Sequence, residues 1–302
     1  MDRLLELGWD VTVLDDFSSG REINLSKAKN NSKLHVIRGS ILDTKKVSQA
    51  FENVDTVFHE AALVSVQRSV EDPVAVYRVN LEGTVGLLEE SRRHDIRRFI
   101  YASSCGVYGN ASVLPILETS LLQPMNPYAA SKAASEQFCT AYQNTYGLES
   151  ICLRYSNVYG PRRSTGPYSG VFVRFAECIT KNQPLPIVGD GTQTRDFIYV
   201  SDVVEANVRS AQCDGISGRI INIGTCLETS ITKLAQLMLS AANKSKLGTV
   251  RIDPRPCEIA RSQVSTALAR KLLGFEDRVK LSKGITNFLD WYRGNRNDEM
   301  HK

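Results

Sequence analysis

The 302-residue sequence has no apolar run near the ~18 residues that a membrane-spanning helix needs. Its seven cysteines are scattered and include no CxxC pair, which argues against a disulfide framework and against a zinc site. Neither charge sign forms a long block, and the net charge is only +4, so nucleic-acid binding is not indicated. Residues 1–7 lack the pattern of a signal peptide. These absences predict a soluble cytoplasmic protein without a metal site.

The overall composition is that of an ordinary globular protein. Hydrophobic residues make up 42% of the chain and charged residues 23%, close to the averages for folded domains. A chain of 302 residues can bury a substantial core, and its length fits one large domain or two smaller ones.

The first half of the chain alternates short apolar runs, typical of buried strands, with patterns of helical period. Strands are predicted at residues 10–15, 34–37, 54–59, 97–103 and 150–155, and helices at 45–51, 79–93 and beyond Pro127. Such alternation predicts an α/β fold with a doubly wound parallel sheet covered on both faces. After Gly160, frequent glycine and proline predict loops over the carboxyl edge of the sheet. Further helices are predicted at 171–181, 231–242, 266–273 and 281–293.

A tyrosine and a lysine, Tyr128 and Lys132, stand four residues apart. Asn126 suits a helix N-cap, Pro127 suits the first helical position, and the alanines that follow favour a helix. On a helix, this spacing places the phenol and the ammonium on one face. A nearby positive charge lowers the pKa of a phenol, so Tyr128 is a candidate base. Solvated helix faces without any function show the same spacing.

Two further polar sites follow predicted strands. Asp15 and Asp16 end a strand at the position where a carboxylate accepts the ribose hydroxyls of NAD and disfavours the 2′-phosphate of NADP. Ser103 and Ser104 end another strand, where a hydroxyl can bond a substrate oxygen. Ordinary turns and turn capping explain either site equally well when it is taken alone.

Several motifs accompany these residues across almost the whole chain. They are Leu14-Asp15-Asp16-Phe17, His59-Glu60-Ala61-Ala62, Val79 to Thr84, Ser103 to Gly109, Asn126 to Lys132, Leu153 to Pro161, Gly189 to Phe197, and Arg255-Pro256. With them, the chain resembles the extended short-chain dehydrogenase/reductase superfamily, and within it the NAD-dependent nucleotide-sugar epimerases of the UDP-glucose 4-epimerase type. The resemblance implies a Rossmann-like NAD-binding domain at residues 1–158 and 198–225. It implies a smaller substrate domain at 159–197 and 226–302.

The resemblance also implies roles for individual residues. The catalytic residues would be Ser104, Tyr128 and Lys132. Cofactor contacts would come from Asp15, Asp16, Phe17, Ser40, Ile41, Ala61, Ala62, Asn80, Tyr128, Lys132 and Tyr155, with Ser40 standing where the family usually has an aspartate. Substrate contacts would come from Ser104, Asn157, Arg195, Arg255 and Ser262, the arginines because guanidinium groups suit phosphate geometry.

The implied reaction interconverts UDP-hexoses at C4 through a 4-keto sugar. Tyr128 would remove the 4-hydroxyl proton while hydride passes to NAD, Lys132 would favour the phenolate, and Ser104 would bond the reacting oxygen. UDP-glucose and UDP-galactose are the expected substrates. Ser262 stands where some relatives have a bulky tyrosine, so UDP-N-acetylglucosamine and UDP-N-acetylgalactosamine are expected to fit as well. Relatives often dimerise through a four-helix bundle, built here from residues 81–93 and the helix of Tyr128.

Other functions remain open from the sequence. Dehydratases and decarboxylases of the superfamily carry acidic residues just after the active-site hydroxyl, where this chain has Cys105 and Gly106. The epimerase is therefore preferred over those enzymes and over a simple dehydrogenase. A non-catalytic nucleotide-sugar-binding form is a further alternative.

The chain departs from the family at its front. The family begins with a strand and a glycine-rich turn whose amides hold the cofactor pyrophosphate. No GxGxxG or GxxGxxG occurs here, and Met1 falls inside the helix expected after that turn. We expect either a start codon placed too late, or a fragment, or a short form. In each case, we expect the central strand of the sheet to be lacking, its neighbours to have unpaired edges, and NAD to bind poorly.

Overall fold

The computed structural model describes residues 1–162, 169–254 and 258–300. The strands are β1 (Val11–Asp15), β2 (Leu34–Arg38), β3 (Thr56–His59), β4 (Arg98–Ser104), β5 (Glu149–Tyr155), β6 (Asn157–Tyr159), β7 (Leu185–Val188), β8 (Thr194–Arg195), β9 (Phe197–Tyr199), β10 (Ile220–Ile223), β11 (Thr229–Ser230) and β12 (Thr249–Ile252). The five strands predicted in the first half of the sequence correspond to β1 to β5, with ends shifted by one or two residues.

The α-helices are α1 (Asp2–Glu6), α2 (Thr44–Ala50), α3 (Val66–Glu71), α4 (Pro73–Val76), α5 (Gly83–Arg93), α6 (Pro127–Tyr146), α7 (Gly170–Thr180), α8 (Val200–Gln212), α9 (Ile231–Ala241), α10 (Ala267–Leu273) and α11 (Leu281–Met300). A π-helical stretch, Tyr77–Glu82, leads into α5. The sequence interpretation missed α3, α4 and α8. Clear signals existed for the first two, because Ser65 and Asp72 cap them with their side chains and Pro73 occupies the first position of α4.

The central sheet is parallel but falls into two pieces. Four strands pair in the order β10–β5–β4–β3, and β1 pairs separately with β2. All of these pairings are parallel, as the alternation of strands and helices predicts. Within the described ranges, no strand joins β1 to β3. The sequence predicted unpaired edges at this place.

The apolar core is divided between the two parts of the molecule. One cluster, around Ile100, Leu153 and Ile223, fills the space beneath the four-stranded sheet. A separate cluster joins α7, α9 and α11, with Phe172 and Phe288 in edge-to-face contact. The division into an NAD-binding domain and a substrate domain stays a prediction. However, Ala269 and Leu273 of α10, which the prediction assigned to the substrate domain, pack in the first cluster.

None of the helices in the described ranges is both long enough and apolar enough to cross a membrane.

Candidate active site

Helix α6 begins with the cap that the sequence predicts. The Asn126 side chain accepts a hydrogen bond from the backbone N–H of Ala129 at 2.9 Å, and Pro127 occupies the first turn, where it loses no helical hydrogen bond. The cap fixes where the helix starts, and therefore which way the residues of its first turns point. Tyr128 is half-buried, and Lys132, one turn later, is buried.

Lys132 ties α6 to strand β4. Its Nζ donates a hydrogen bond to the backbone oxygen of Ala102 at 2.6 Å and lies 4.8 Å from the centre of the Tyr101 ring. Burial lowers the pKa of Lys132 to about 8, while the charges of Glu60 and Glu136 act in the opposite direction. The ammonium is therefore still mostly charged at neutral pH, and it can stabilise a negative phenolate nearby.

Ser104 is the last residue of β4, and its Oγ accepts a hydrogen bond from the backbone N–H of Gly106 at 3.1 Å. This bond is the turn capping that was the alternative explanation for a serine at this position. The hydroxyl proton is not used in that bond, so it remains able to bond a substrate oxygen. A side chain at Gly106 would lie 3.3 Å from Ser104 Oγ and 4.0 Å from Ala129 Cβ. Such a Cβ would crowd Ser104 Oγ, whereas its distance to Ala129 is an ordinary van der Waals contact.

The other end of the site lies at the carboxyl end of β1. One oxygen of Asp15 accepts a hydrogen bond from the N–H of Phe17 at 2.7 Å, and Asp16 accepts one from Ser18 at 2.8 Å. The second Asp15 oxygen lies beside Gly20, where a Cβ would approach it to 3.3 Å. Glycine at this position keeps the carboxylate accessible. The turn holds Asp15 in place through one carboxylate oxygen, and the other oxygen takes no part in that bond.

A large cleft runs along β1 and β3, and the residues that line it do not include Ser104, Tyr128 or Lys132. It has a volume of about 1970 Å³, well above the ~300–1,000 Å³ of an ordinary ligand pocket. Six of the predicted cofactor residues line it: Asp15, Asp16, Ser40, Ile41, Ala61 and Ala62. The Ser40 hydroxyl accepts a hydrogen bond from the N–H of Leu42 at 3.1 Å, so it also shapes its own turn.

Asn80 is buried, and its side chain is fully engaged by protein groups. Its oxygen accepts a hydrogen bond from the N–H of Leu63 at 2.8 Å, and its nitrogen donates to the Leu63 oxygen and to Ser131 Oγ, both at 3.1 Å. Asn80 therefore fastens the loop that follows Ala61 and Ala62 to helix α6. Any contribution to cofactor binding is through the position of that loop.

Glu60 is a site residue that the sequence interpretation did not single out. It lines the cleft directly after β3, and it accepts a hydrogen bond from Tyr155 Oη at 2.9 Å. Asn207 donates to the same phenol oxygen at 2.7 Å. Burial raises the pKa of Glu60 and that of Tyr155. The signal was available, because Glu60 follows a parallel strand at the edge where ligands bind.

Two of the predicted substrate residues, Ser262 and Arg195, lie near Cys105. Ser262 is 4% exposed, and its Oγ lies 3.9 Å from Cys105 Sγ. Arg195 donates hydrogen bonds to the oxygens of Thr194 and Ile259 at 2.7 and 2.6 Å, and it pairs with Glu258 at 3.3 Å. Its guanidinium is thus held by protein groups, and burial lowers its pKa.

Asn157 and Arg255 are the two remaining predicted substrate residues. Asn157 opens β6 and donates its backbone N–H to the oxygen of Asp196 at 2.8 Å, beside the neighbouring Arg195. Arg255 falls outside the described residues. In the part of the chain that the structure describes, no cluster of histidine, cysteine and carboxylate side chains is suited to hold a metal ion.

Known proteins share this architecture. The family model described as "NAD dependent epimerase/dehydratase family" matches residues 1–224. The chain is 37% identical to the UDP-glucose 4-epimerase of Mycolicibacterium smegmatis, over 97% of this chain and 94% of that protein. The structure of Thermotoga maritima UDP-glucose 4-epimerase with UDP-glucose is 32% identical with a TM-score of 0.92, covering 98% of this chain and 94% of that one. The Thermus thermophilus UDP-glucose 4-epimerase complex with NAD is 33% identical with a TM-score of 0.87, covering 97% and 94%.

Proposed function

Because this chain belongs to the NAD-dependent epimerase/dehydratase family, we propose that it is a UDP-hexose 4-epimerase that interconverts UDP-glucose and UDP-galactose with NAD. The observation that carries the proposal is the contact between β4 and α6. Lys132 bonds Ala102, two residues before Ser104, so the helix that bears Tyr128 is held against the strand that ends in Ser104. A hydroxyl, a phenol and an ammonium are thereby presented at one edge of the sheet.

The residues of the cleft suit NAD. Asp15 offers a carboxylate oxygen beside Gly20 for ribose hydroxyls, and Ile41, Ala61 and Ala62 supply apolar walls. When bound, NAD supplies reversible hydride acceptance at the sugar carbon. The protein's own part is proton transfer: Tyr128 takes the 4-hydroxyl proton and later returns it, and Lys132 favours the phenolate. Ser104 donates a hydrogen bond to the sugar oxygen as negative charge develops on it.

The test is the conversion of UDP-glucose to UDP-galactose, measured by chromatography at millimolar NAD, for the unchanged protein and for Tyr128→Phe. We expect the variant to lose at least about 100-fold in rate, because positioned acid–base catalysis contributes roughly 10²–10⁴-fold. Tyr146→Phe is the matched control, since this residue lies on the same helix and is 56% exposed.

Three outcomes contradict the proposal. A Tyr128→Phe variant that keeps the rate of the unchanged protein would remove the assigned base. A 4-keto-6-deoxy product would indicate the dehydratase chemistry of the same family, and bound UDP-glucose without any turnover would indicate the non-catalytic alternative.

We also propose that 2-acetamido sugars are accepted. The small, buried Ser262 lies next to Cys105, and a tyrosine in its place would fill the space that an acetamido group needs. Ser262→Tyr is expected to lower the rate with UDP-N-acetylglucosamine at least about tenfold relative to UDP-glucose, since a pocket clash costs about 1–3 kcal/mol. An unchanged ratio of the two rates would refute this specificity.

A homodimer is the proposed assembly. The predicted bundle consists of residues 81–93 and helix α6; α5 packs against α6, and α6 exposes Phe138 by 41%. Phe138→Glu is expected to shift the protein from dimer to monomer in analytical ultracentrifugation, whereas Leu121→Glu, on a loop and 74% exposed, should not. Equal sedimentation of both variants would argue against this interface.

Cytoplasmic location and the absence of nucleic-acid binding stay predictions from the sequence.

A further inference from the structure

Two segments of the chain meet at Ser262. One is the short 3₁₀ turn Cys105–Tyr108, which directly follows Ser104, and the other is the stretch 262–265. They touch where Cys105 Sγ lies 3.9 Å from Ser262 Oγ. We call this contact the acetamido subsite, because the proposed function places the 2-acetamido group of the sugar beside it. The separation of the two segments therefore sets the room for that group.

Asn222, in strand β10, is completely buried and bonds toward both segments. Its Oδ1 accepts a hydrogen bond from Tyr108 Oη at 2.6 Å, and its Nδ2 donates one to the backbone oxygen of Ile116 at 3.1 Å. Arg154 donates to the same tyrosine oxygen at 2.8 Å, so the phenol proton is free to point at Asn222. Because the Ile116 oxygen can only accept, the orientation of the amide is fixed.

Ile116 carries the link to the second segment. Its backbone N–H donates to the oxygen of Gln263, and its own oxygen accepts from the N–H of Ser265, both at 2.8 Å. The side chains of Ile116 and Val264 also meet Tyr108 in one buried apolar cluster. A side chain that holds Ile116 in place therefore also holds the residues on either side of Val264.

One amide thus connects both sides of the acetamido subsite. It reaches Cys105 through the turn that ends at Tyr108, and it reaches Ser262 through Ile116 and the residues next to it. Asn222 itself is 0% exposed, so it touches no ligand. It can act on a bound sugar only through the two segments that it holds.

We propose that Asn222 is a positioning residue for substrate choice, which holds Cys105 and Ser262 at a fixed separation so that a 2-acetamido group enters a subsite already formed. This inference rests on the proposed function, because it concerns the same sugar site. A site that is ordered in advance loses less free energy on binding than one that the ligand must order. UDP-N-acetylglucosamine gains from this order, whereas UDP-glucose, with only a hydroxyl in that place, gains little.

The test is calorimetric titration of the 302-residue protein with UDP-glucose, UDP-N-acetylglucosamine and UDP alone. Asn222→Leu keeps a branched side chain and loses both hydrogen bonds. We expect it to raise the Kd for UDP-N-acetylglucosamine at least about fivefold relative to the Kd for UDP-glucose, because the ligand must now order both segments. The Kd for UDP alone should stay unchanged.

A second variant and a control accompany this one. Tyr108→Phe removes one of the two hydrogen bonds and keeps the aromatic ring, so it should shift the ratio of the two Kd values in the same direction by a smaller factor. Ser210→Ala is the matched control. Ser210 is also completely buried, and its Oγ donates to the Ala206 oxygen at 2.8 Å within α8. Its loss should leave the ratio unchanged.

Several results would overturn the inference. They are an unchanged ratio in both variants, an equal weakening of both sugars, which would mean that Asn222 only stabilises the fold, and the same shift in Ser210→Ala. If Asn222→Leu does not fold, Tyr108→Phe decides the question. Failure of the unchanged protein to bind either UDP-sugar would contradict the proposed function itself, and this inference with it.

Discussion

Two buried titratable side chains lie within the catalytic half of the molecule, and each has a pKa moved by burial. His59 is 3% exposed and its Nε2 lies 2.8 Å from Thr84 Oγ1; burial, with the charge of Lys132, lowers its pKa to about 3. Lys132 itself is 3% exposed, with a pKa of about 8. Burial disfavours the charged form of both groups, so both make stability depend on pH.

The His59 contribution should appear in acid. Unfolded chains bind a proton at His59 below pH 6.5, whereas the folded protein resists protonation to about pH 3, so stability falls as the pH falls through this window. At pH 4, the loss is about 3 kcal/mol, because about 2.5 pH units at about 1.4 kcal/mol each separate it from the ordinary value. His59→Gln should flatten the free energy of unfolding measured in urea between pH 6.5 and 4. His35→Gln, on the exposed side of β2, should not.

The Lys132 contribution should appear in alkali and has the same sign, because the pKa of this group is also lowered in the folded protein. The folded protein releases this proton near pH 8 and the unfolded chain near pH 10.5, so the folded state gains stability as pH rises between these values. Relative to Lys132→Met, the unchanged protein should gain up to about 3 kcal/mol across this window. Denaturant unfolding at pH 8, 9 and 10 measures the difference. A difference that stays constant with pH would contradict the burial of a charged Lys132.

At the scale of elements, the start of α6 decides where the catalytic groups lie. The Asn126 cap fixes the first turn, and the ion pair of Glu136 with Arg154 at 2.6 Å fixes the helix to β5 further along. One anchor precedes Tyr128 and Lys132 in the helix, and the other follows them. The sequence predicted the cap, since asparagine before proline is a helix-start signal. It did not predict the anchor at Arg154, which joins residues 18 apart in the chain.

Removal of the cap should affect stability and rate together. Asn126→Ala is expected to lower the free energy of unfolding by about 1 kcal/mol, because an N-cap acceptor is lost, and to lower the epimerase rate as Tyr128 loses its fixed turn. Asn144→Ala, at an exposed position of the same helix, is the control and should be neutral or slightly stabilising. Thermal unfolding and the rate assay measure the two effects. Equal behaviour of both variants would show that the cap does not position α6.

For the whole molecule, the split sheet has a consequence for cofactor affinity. Asp15 and Glu60 follow β1 and β3, which no strand joins within the described ranges, and the sequence contains no glycine-rich turn whose backbone amides could hold the cofactor pyrophosphate. We predict a dissociation constant weaker than about 100 µM, because these phosphate contacts are missing from the binding free energy. Isothermal titration of the 302-residue protein with NAD measures it. Micromolar binding would refute the prediction, and titration with UDP-glucose serves as the control for a folded substrate side.

Much of this molecule follows from local sequence. Three kinds of signal depend only on neighbours along the chain: the hydrophobic patterns of β1 to β5, the helix-start signal at Asn126, and the polar residues at strand ends. The doubly wound class was therefore predictable, and so were the positions of Asp15, Ser104, Tyr128 and Lys132. The unpaired edges of β1 and β3 were predictable too, since the pattern contains no strand to lie between them.

Other features depended on the tertiary structure because they join distant parts of the chain. Three sets of hydrogen bonds link residues far apart in sequence: those of Asn80 with Leu63 and Ser131, that of Tyr155 with Glu60, and that of Arg195 with Ile259. So do the pKa values of His59 and Lys132, which burial sets. Sequence determined which chemical groups this protein carries at its strand ends. Only packing decided which of them meet and how much water they keep, because burial and long-range hydrogen bonds arise when the chain is folded.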